Sequence, residues 1–223
     1  MRNKFWLYLL VTVGNWWFWR MVRFDLVVAS LCLLLSLLLL SAVDNNSFGK
    51  KVRLMGFLFV LLVAISLFKG SDRGLFITQP LENDLIEKRH EYFAKEFGVF
   101  YKNRIGIFYL KKFNPIFFRL QKNFFANLDI GLYFFSSHPR ERVGVDEFAK
   151  YPAILLPVFM IGFIFVLRKR QFLLLLLLLA GLVSIFLHPV YNLGPVLFFP
   201  LINTVIFFGY WILFKGRIKK SEI

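Results

Sequence analysis

The chain has 223 residues, of which 58% are hydrophobic and 19% aromatic, with a mean hydropathy of +0.64 and a formal net charge of +15. Soluble domains are only about 45–50% apolar, so this composition excludes an ordinary soluble enzyme and a disordered chain. A single cysteine, Cys32, excludes an internal disulfide framework and any multi-cysteine metal site.

What remains is an all-α, polytopic membrane bundle of five to six transmembrane helices with one external, mainly helical insert. A crossing helix needs about 20 apolar residues for a hydrocarbon core of about 30 Å. In chain order, the first segment is 5–19, which Thr12, Gly14 and Asn15 weaken and which Trp6, Trp16, Trp17 and Trp19 flank as an aromatic belt would. Two other readings compete with a span there. A cleaved signal peptide fits Arg2 and Lys4 but not the bulky residues at 16–19. An in-plane interfacial helix would put the aromatics inward and Arg20 and Arg23 at the headgroups.

The next span is 24–43, with Asp25 at its edge, where pairing with Arg20 or Arg23 is the simplest reading. The third is 54–68, which closes an N-terminal unit of residues 1–68. Residues 152–167, 172–187 and 196–214 form a second membrane unit, 152–214, followed by a basic tail, 215–223. Asn203 and Thr204 alone interrupt the last span, which is too little mid-membrane polarity for a transporter.

Between the two units lies 69–151, a polar region with 14 of the 28 Lys and Arg but also 10 Asp and Glu. The other basic residues cluster at span ends. With six spans and the N-terminus inside, twelve of them are cytoplasmic and only Arg20 and Arg23 are external. This is the charge asymmetry that orients membrane proteins. The basic composition therefore reads as topology facing anionic lipid, not as a nucleic-acid surface. Both termini are expected in the cytoplasm of a multi-pass cell-membrane protein, with 69–151 and 188–195 outside. The sequon-like Asn45-Asn46-Ser47 falls in a cytoplasmic loop and should carry no glycan.

Within the insert, 81–97 reads as a charged helix with its acids first and Gly98 as its C-cap. From Val99 to Asn127 aromatic and basic residues interleave without any acid, and Pro115 is well placed to start a helix. Such a stretch lies on an anionic bilayer or packs its rings on neighbouring spans.

Three groups could carry chemistry. His138, Arg140 and Arg142 precede the 152–167 span, and guanidinium forks match phosphate oxygens. The bland alternative is a turn at Pro139 with pairs to Glu141, Asp146 or Glu147. His188, with Tyr191 and Asn192, could face the same external cleft or simply mark a membrane boundary. Glu82, Asp84, Glu87, His90 and Glu91 could hold a divalent cation, or form a solvated helix face. No catalytic motif, cofactor signature or metal motif is present.

The run Leu132-Tyr133-Phe134-Phe135-Ser136-Ser137-His138-Pro139-Arg140, the span opening at Tyr151-Pro152 and closing on Arg168-Lys169-Arg170, and the spans through His188-Pro189 and Pro195 carry a resemblance. Over residues 105–214 the chain resembles the C-terminal part of GT-C class integral-membrane glycosyltransferases, the protein mannosyltransferase and aminoarabinose transferase relatives. The resemblance implies a polyprenyl-phosphate-sugar donor and an external active site. That family's catalytic acid sits on a substantial first external loop. Here that loop is Arg20-Met21-Val22-Arg23 with Asp25 nearby, so a truncated or accessory relative is implied. Any enzymatic activity would be glycosyl transfer. The expected substrate-binding residues are His138, Arg140, Arg142 and His188, and the expected partners are membrane lipids, a lipid-linked sugar and other membrane proteins. The alternative is a non-enzymatic protein that anchors or assembles membrane components.

Overall fold

The computed structural model describes residues 2–44, 48–77, 80–98, 102–135, 149–187 and 195–218. Among the described residues every regular element is helical, apart from one isolated antiparallel bridge between Ser71 and Leu187. Two helical stretches, Lys51–Gly70 and Val196–Phe214, are long and apolar enough to cross a membrane. Three shorter apolar helices accompany them, Leu26–Leu40, Ala153–Arg168 and Gln171–Ser184.

Residues 5–19 do not form one helix. Helix α1 runs Arg2–Val13 and α2 runs Trp16–Phe24. The break follows from the two residues between them. The Asn15 side chain accepts the Trp17 N–H at 2.8 Å, the N-cap bond that starts a new helix. Helix α1 rises only about 18 Å, at about 1.5 Å per residue. Helix α2 is amphipathic, burying Trp17, Phe18 and Met21 while Trp16 and Trp19 stay exposed. Trp17 is therefore a core residue and not part of an aromatic belt.

Helices α3 (Leu26–Asp44) and α4 (Phe48–Gly70) form a hairpin. Helix α4 lies at the periphery, with Phe57, Val60 and Phe68 exposed. Helix α11 (Phe199–Ile218), entered through the 3-10 turn Val196–Phe198, is the centre of the bundle, and residues 195–209 are all buried. Helix α3 and α1 pack on it, as does α9 (Leu156–Lys169), which follows the 3-10 turn Ala153–Leu155. Two glycines let α9 and α11 approach backbone to backbone. A Cβ on Gly162 would sit 1.9 Å from the Val205 carbonyl oxygen, and one on Gly209 would sit 1.9 Å from that of Val158. Small residues at such crossings bring helix backbones into dispersion contact. Polar groups inside the bundle find partners across helices: the Tyr8 hydroxyl meets the Thr204 hydroxyl at 3.0 Å, and the Tyr151 hydroxyl bonds Asn203 Oδ1 at 2.9 Å.

After α9 the chain turns at Arg170 into α10 (Gln171–Ser184), and successive i→i+3 bonds extend its winding to Leu187. The insert supplies α5 (Pro80–Glu96), ended by Gly98 at φ +62°, a left-handed conformation that favours glycine. It also supplies α6 (Arg104–Phe108), α7 (Asn114–Leu128) and α8 (Ile130–Phe134). Pro115 begins a helix as expected, but not a separate one. It has no N–H for the preceding turn, and a single π turn, Tyr109–Phe113, absorbs the missing bond in line with α6 and α7. Along this rod Tyr109, Phe113 and Phe117 stack at 5.8 Å intervals, half-exposed.

Candidate functional site

The insert meets the bundle through two asparagines of α7. Asn123 and Asn127 lie four apart, on one face of the helix, and both are buried. Asn127 Nδ2 shares its N–H groups among the carbonyls of Asn123, Ser184 and Leu187, at 2.9, 3.0 and 3.1 Å. Asn123 Nδ2 donates to the Ile185 carbonyl and, at 3.0 Å, to Asp72 Oδ2. The Asp72 N–H in turn donates to the Phe186 carbonyl. Apart from that of Asn123, these carbonyls belong to the last turn of α10 and its extension to Leu187, where a helix runs short of following N–H donors, and that of Ser184 also accepts the Leu187 N–H at 3.1 Å. Where α7 crosses α10, a Cβ on Gly181 would meet Leu128 and Phe124 at 3.7 and 3.8 Å, ordinary van der Waals contact, so this crossing does not demand a glycine.

The same network reaches the feet of two further segments. The Tyr133 hydroxyl donates to the Asn127 carbonyl at 2.7 Å, and the Tyr133 ring meets Phe198 at 5.9 Å. The Tyr151 N–H donates to the Tyr133 carbonyl at 2.8 Å. Lys150 is buried. Its Nζ donates to the Leu132 carbonyl at 3.0 Å and lies over the rings of Trp17 and Tyr133, an arrangement that offsets the cost of burying the charge. Trp16 Nε1 donates to the Ala149 carbonyl, tying α2 to the same place. Burial pushes the Tyr133 phenol well above its ordinary range, with the Asp129 charge adding to it, so it stays a donor.

His138, Arg140, Arg142 and His188, together with Tyr191 and Asn192, lie outside the described residues. Their flanks do not. Residues 133–135 and 149–151 bound one segment, residues 187 and 195–198 bound the other, and all of them meet around Asn127, Tyr133 and Phe198.

Asp25 does not pair with Arg20 or Arg23. It sits in the joint between α2 and α3, outside both helices, and forms an ion pair with Lys69 at the end of α4. Its Oδ1 also accepts the Val28 N–H at 3.2 Å, a capping bond for α3. Burial acts to raise this carboxyl, but Lys69 and the backbone donors outweigh it and hold it below the usual carboxylate range. The helix-hairpin geometry explains the choice: α4 returns its last turn to the start of α3, while Arg20 lies over the Phe24 ring.

The acidic group of α5 is dispersed among basic partners. Glu82 pairs with Arg119, and Glu87 pairs with Lys111 at 3.3 Å. Among the described residues no three His, Cys, Asp or Glu converge where a metal ion could sit. Arg119 is more than a counter-ion. Its Nη1 also donates to the carbonyls of Gly74, Leu75 and Ile77, clasping the loop before α5 onto α7. Between α5 and the π turn and start of α7 lies a cleft of about 450 Å³ with an apolar wall and basic edges.

Sequence reasoning missed Asn123, Asn127, Asp72 and Lys150. The available signal was the pair of asparagines four apart in a stretch otherwise made of rings and cations. Comparisons with protein-family models, with curated proteins and with solved structures find no match to this chain. The description therefore rests on the chain itself: a helical protein with two helices able to cross a membrane and an amphipathic helical insert stitched to one end of the bundle.

Proposed function

We propose that this is a multi-pass membrane protein that holds a phosphate-bearing lipid, a polyprenyl-phosphate sugar or a phospholipid, at the external face, as a truncated or accessory relative of GT-C glycosyltransferases. Five apolar segments support the membrane part. Counting their 3-10 turns, α3, α4, 153–169, 171–187 and 196–218 are each about 27–36 Å long, against a hydrocarbon core of about 30 Å. Their outward surfaces are apolar: Phe57, Val60 and Phe68 on α4, and Leu175, Leu178 and Leu182 on α10, are all exposed. A continuous surface of this kind is unfavourable in water and normal in lipid. Helix α1, packed along α11 and α3 with Tyr8 beside Leu40 and Phe207, then takes the chain from the cytoplasmic side towards the outer boundary where α2 lies, and the charge split favours both termini in the cytoplasm.

The observation that carries the functional reading is the shared framework of Asn127, Tyr133 and Phe198. It supports the segments bearing His138, Arg140, Arg142 and His188 from one place, on the side assigned to the outside. Binding of undecaprenyl phosphate to protein in nanodiscs tests this. Each lost charge-assisted bond costs about 1.5–3 kcal/mol, so Arg140→Ala with Arg142→Ala should weaken binding at least about tenfold. Unchanged affinity favours the second reading, an anchoring protein that engages membrane partners through the exposed ladder of Tyr109, Phe113 and Phe117. Topology has its own test, thiol labelling from outside of single cysteines at Ser137 and Ser221 in a Cys32→Ser background. Labelling at 137 and not at 221 is expected, and the reverse pattern would sink the orientation.

A further inference from the structure

We infer that the cleft between α5 and α7 is a second, separate binding site, for an anionic amphiphile with a phosphate monoester head and a single apolar chain. This goes beyond the lipid-phosphate reading above, which concerns residues 138, 140, 142 and 188.

Three cations, Arg89, Arg119 and Lys122, and one acid, Glu82, line the cleft, and the Lys111–Glu87 pair lies nearby. Arg119 is spent on Glu82 and three carbonyls, and Lys111 on Glu87. Arg89, from α5, and Lys122, from α7, both line the cleft, are both exposed, and make no ion pair among the described residues. Two helices thus aim uncompensated positive charge at one space. The preceding residues of the chain carry the amide of Asn114 into the same space as a further donor.

The wall decides the class of anion. Leu85, Ile86 and Phe118 line the cleft beside the cations, and Leu85 and Phe118 are more than half exposed. A free phosphate would leave these groups in water. An amphiphile covers them with its chain while its head meets Arg89 and Lys122. The cleft's volume of about 450 Å³ lies within the range of about 300–1,000 Å³ usual for small-molecule sites and suits a head with the first carbons of one chain. A guanidinium and an ammonium on opposite sides suit a dianionic monoester better than a zwitterionic head, whose own cation they would repel.

The test is a native mass-spectrometric titration of the full chain in a neutral maltoside detergent. The probes are lysophosphatidic acid, lysophosphatidylcholine of the same chain length, and inorganic phosphate. The wild-type protein should prefer lysophosphatidic acid to lysophosphatidylcholine at least about tenfold, and should bind inorganic phosphate at least about tenfold more weakly than lysophosphatidic acid. Arg89→Gln with Lys122→Gln should abolish the preference while the circular dichroism spectrum and elution volume stay unchanged, since both side chains are exposed. Phe118→Ser should weaken lysophosphatidic acid and leave inorganic phosphate unaltered. A preference that persists in the Arg89→Gln, Lys122→Gln protein overturns the inference, as does inorganic phosphate binding as tightly as the lipid. If instead Arg140→Ala with Arg142→Ala removes the preference and the cleft variant retains it, this site is refuted and the external lipid-phosphate site stands. Loss of undecaprenyl phosphate binding in the Arg140→Ala, Arg142→Ala protein, with the lysophosphatidic acid preference intact, establishes two sites.

Discussion

Among the described residues, helices α4 and α11 are the two long and apolar enough to cross a membrane, and they have nearly equal hydropathy, 2.1 and 2.0. Yet only 22% of the α4 window is buried inside the protein, against 78% for α11. The difference lies in what each helix offers its neighbours. Helix α11 brings Gly209, Asn203 and Thr204, which admit a second backbone and bond Tyr151 and Tyr8. Helix α4 brings mostly bulky apolar residues, and at its Gly56 nothing lies within 4 Å of where a Cβ would be. Apolar content thus tells which helices avoid water. Small and polar residues tell which of them face protein.

Substitutions that respect or violate this division sharpen it. The largest effect is expected at the α9–α11 crossing. Gly162→Val would force two backbones apart, and should cost about 3 kcal/mol or more, seen as loss of the monodisperse folded peak in detergent. Gly56→Ala on α4, by contrast, should be neutral or stabilising by up to about 1 kcal/mol in thermal unfolding. Next comes the surface of α4. If lipid covers Val60, Val60→Lys should add about 2.5–3.5 kcal/mol to membrane insertion, measured by glycosylation-mapped insertion assays. A change within about 0.5 kcal/mol, as at a water-exposed site, would break the comparison, because α4 would then need no lipid.

A smaller loss is expected where the insert meets α10. Asn127→Ala removes one amide from three carbonyls and should cost about 1–3 kcal/mol in thermal unfolding. Phe117→Ala, on the exposed side of the same helix, should cost less than about 0.5 kcal/mol. The smallest effect belongs to the Asp25–Lys69 pair. The folded carboxyl is held below its unfolded value, so the pair's stabilisation is present above pH about 4 and fades as pH falls through the folded value. Such a pair at a partly exposed place is worth at most about 1 kcal/mol. Melting of the wild-type protein and Asp25→Asn should therefore differ slightly at neutral pH and coincide in strong acid.

These contrasts also mark what the sequence could and could not reveal. The helix over 81–97 was legible because its acids precede its bases and Gly98 ends it, and the structure has Pro80–Glu96 with Gly98 at positive φ. The apolar runs 24–43 and 196–214 each became helical within four residues of their expected ends, while 54–68 became the longer helix Phe48–Gly70. The N-terminal segment was not legible as one element, because a single cap at Asn15 splits what composition presents as continuous. The Asp25 partner was misread for a related reason. Arg20 and Arg23 are near in sequence, but the hairpin brings Lys69, 44 positions away, to the carboxylate. Asn123 and Asn127 stayed hidden because their role depends on which carbonyls at the end of α10 lie against α7, and only the crossing of two helices settles that. Of the candidate site, residue types were legible at 138, 140, 142 and 188, while the framework beneath them was not.

The bond from the Tyr151 N–H to the Tyr133 carbonyl closes residues 134–150 into a ring whose neck is held by Lys150, Trp17 and Phe134. A chain cut inside that ring would keep both ends fastened. A protease site engineered between 136 and 148 should therefore yield two fragments that migrate as one particle and part only on denaturation. By the same logic, the two pieces expressed separately, 1–140 and 141–223, should find each other in the membrane and reconstitute the bundle.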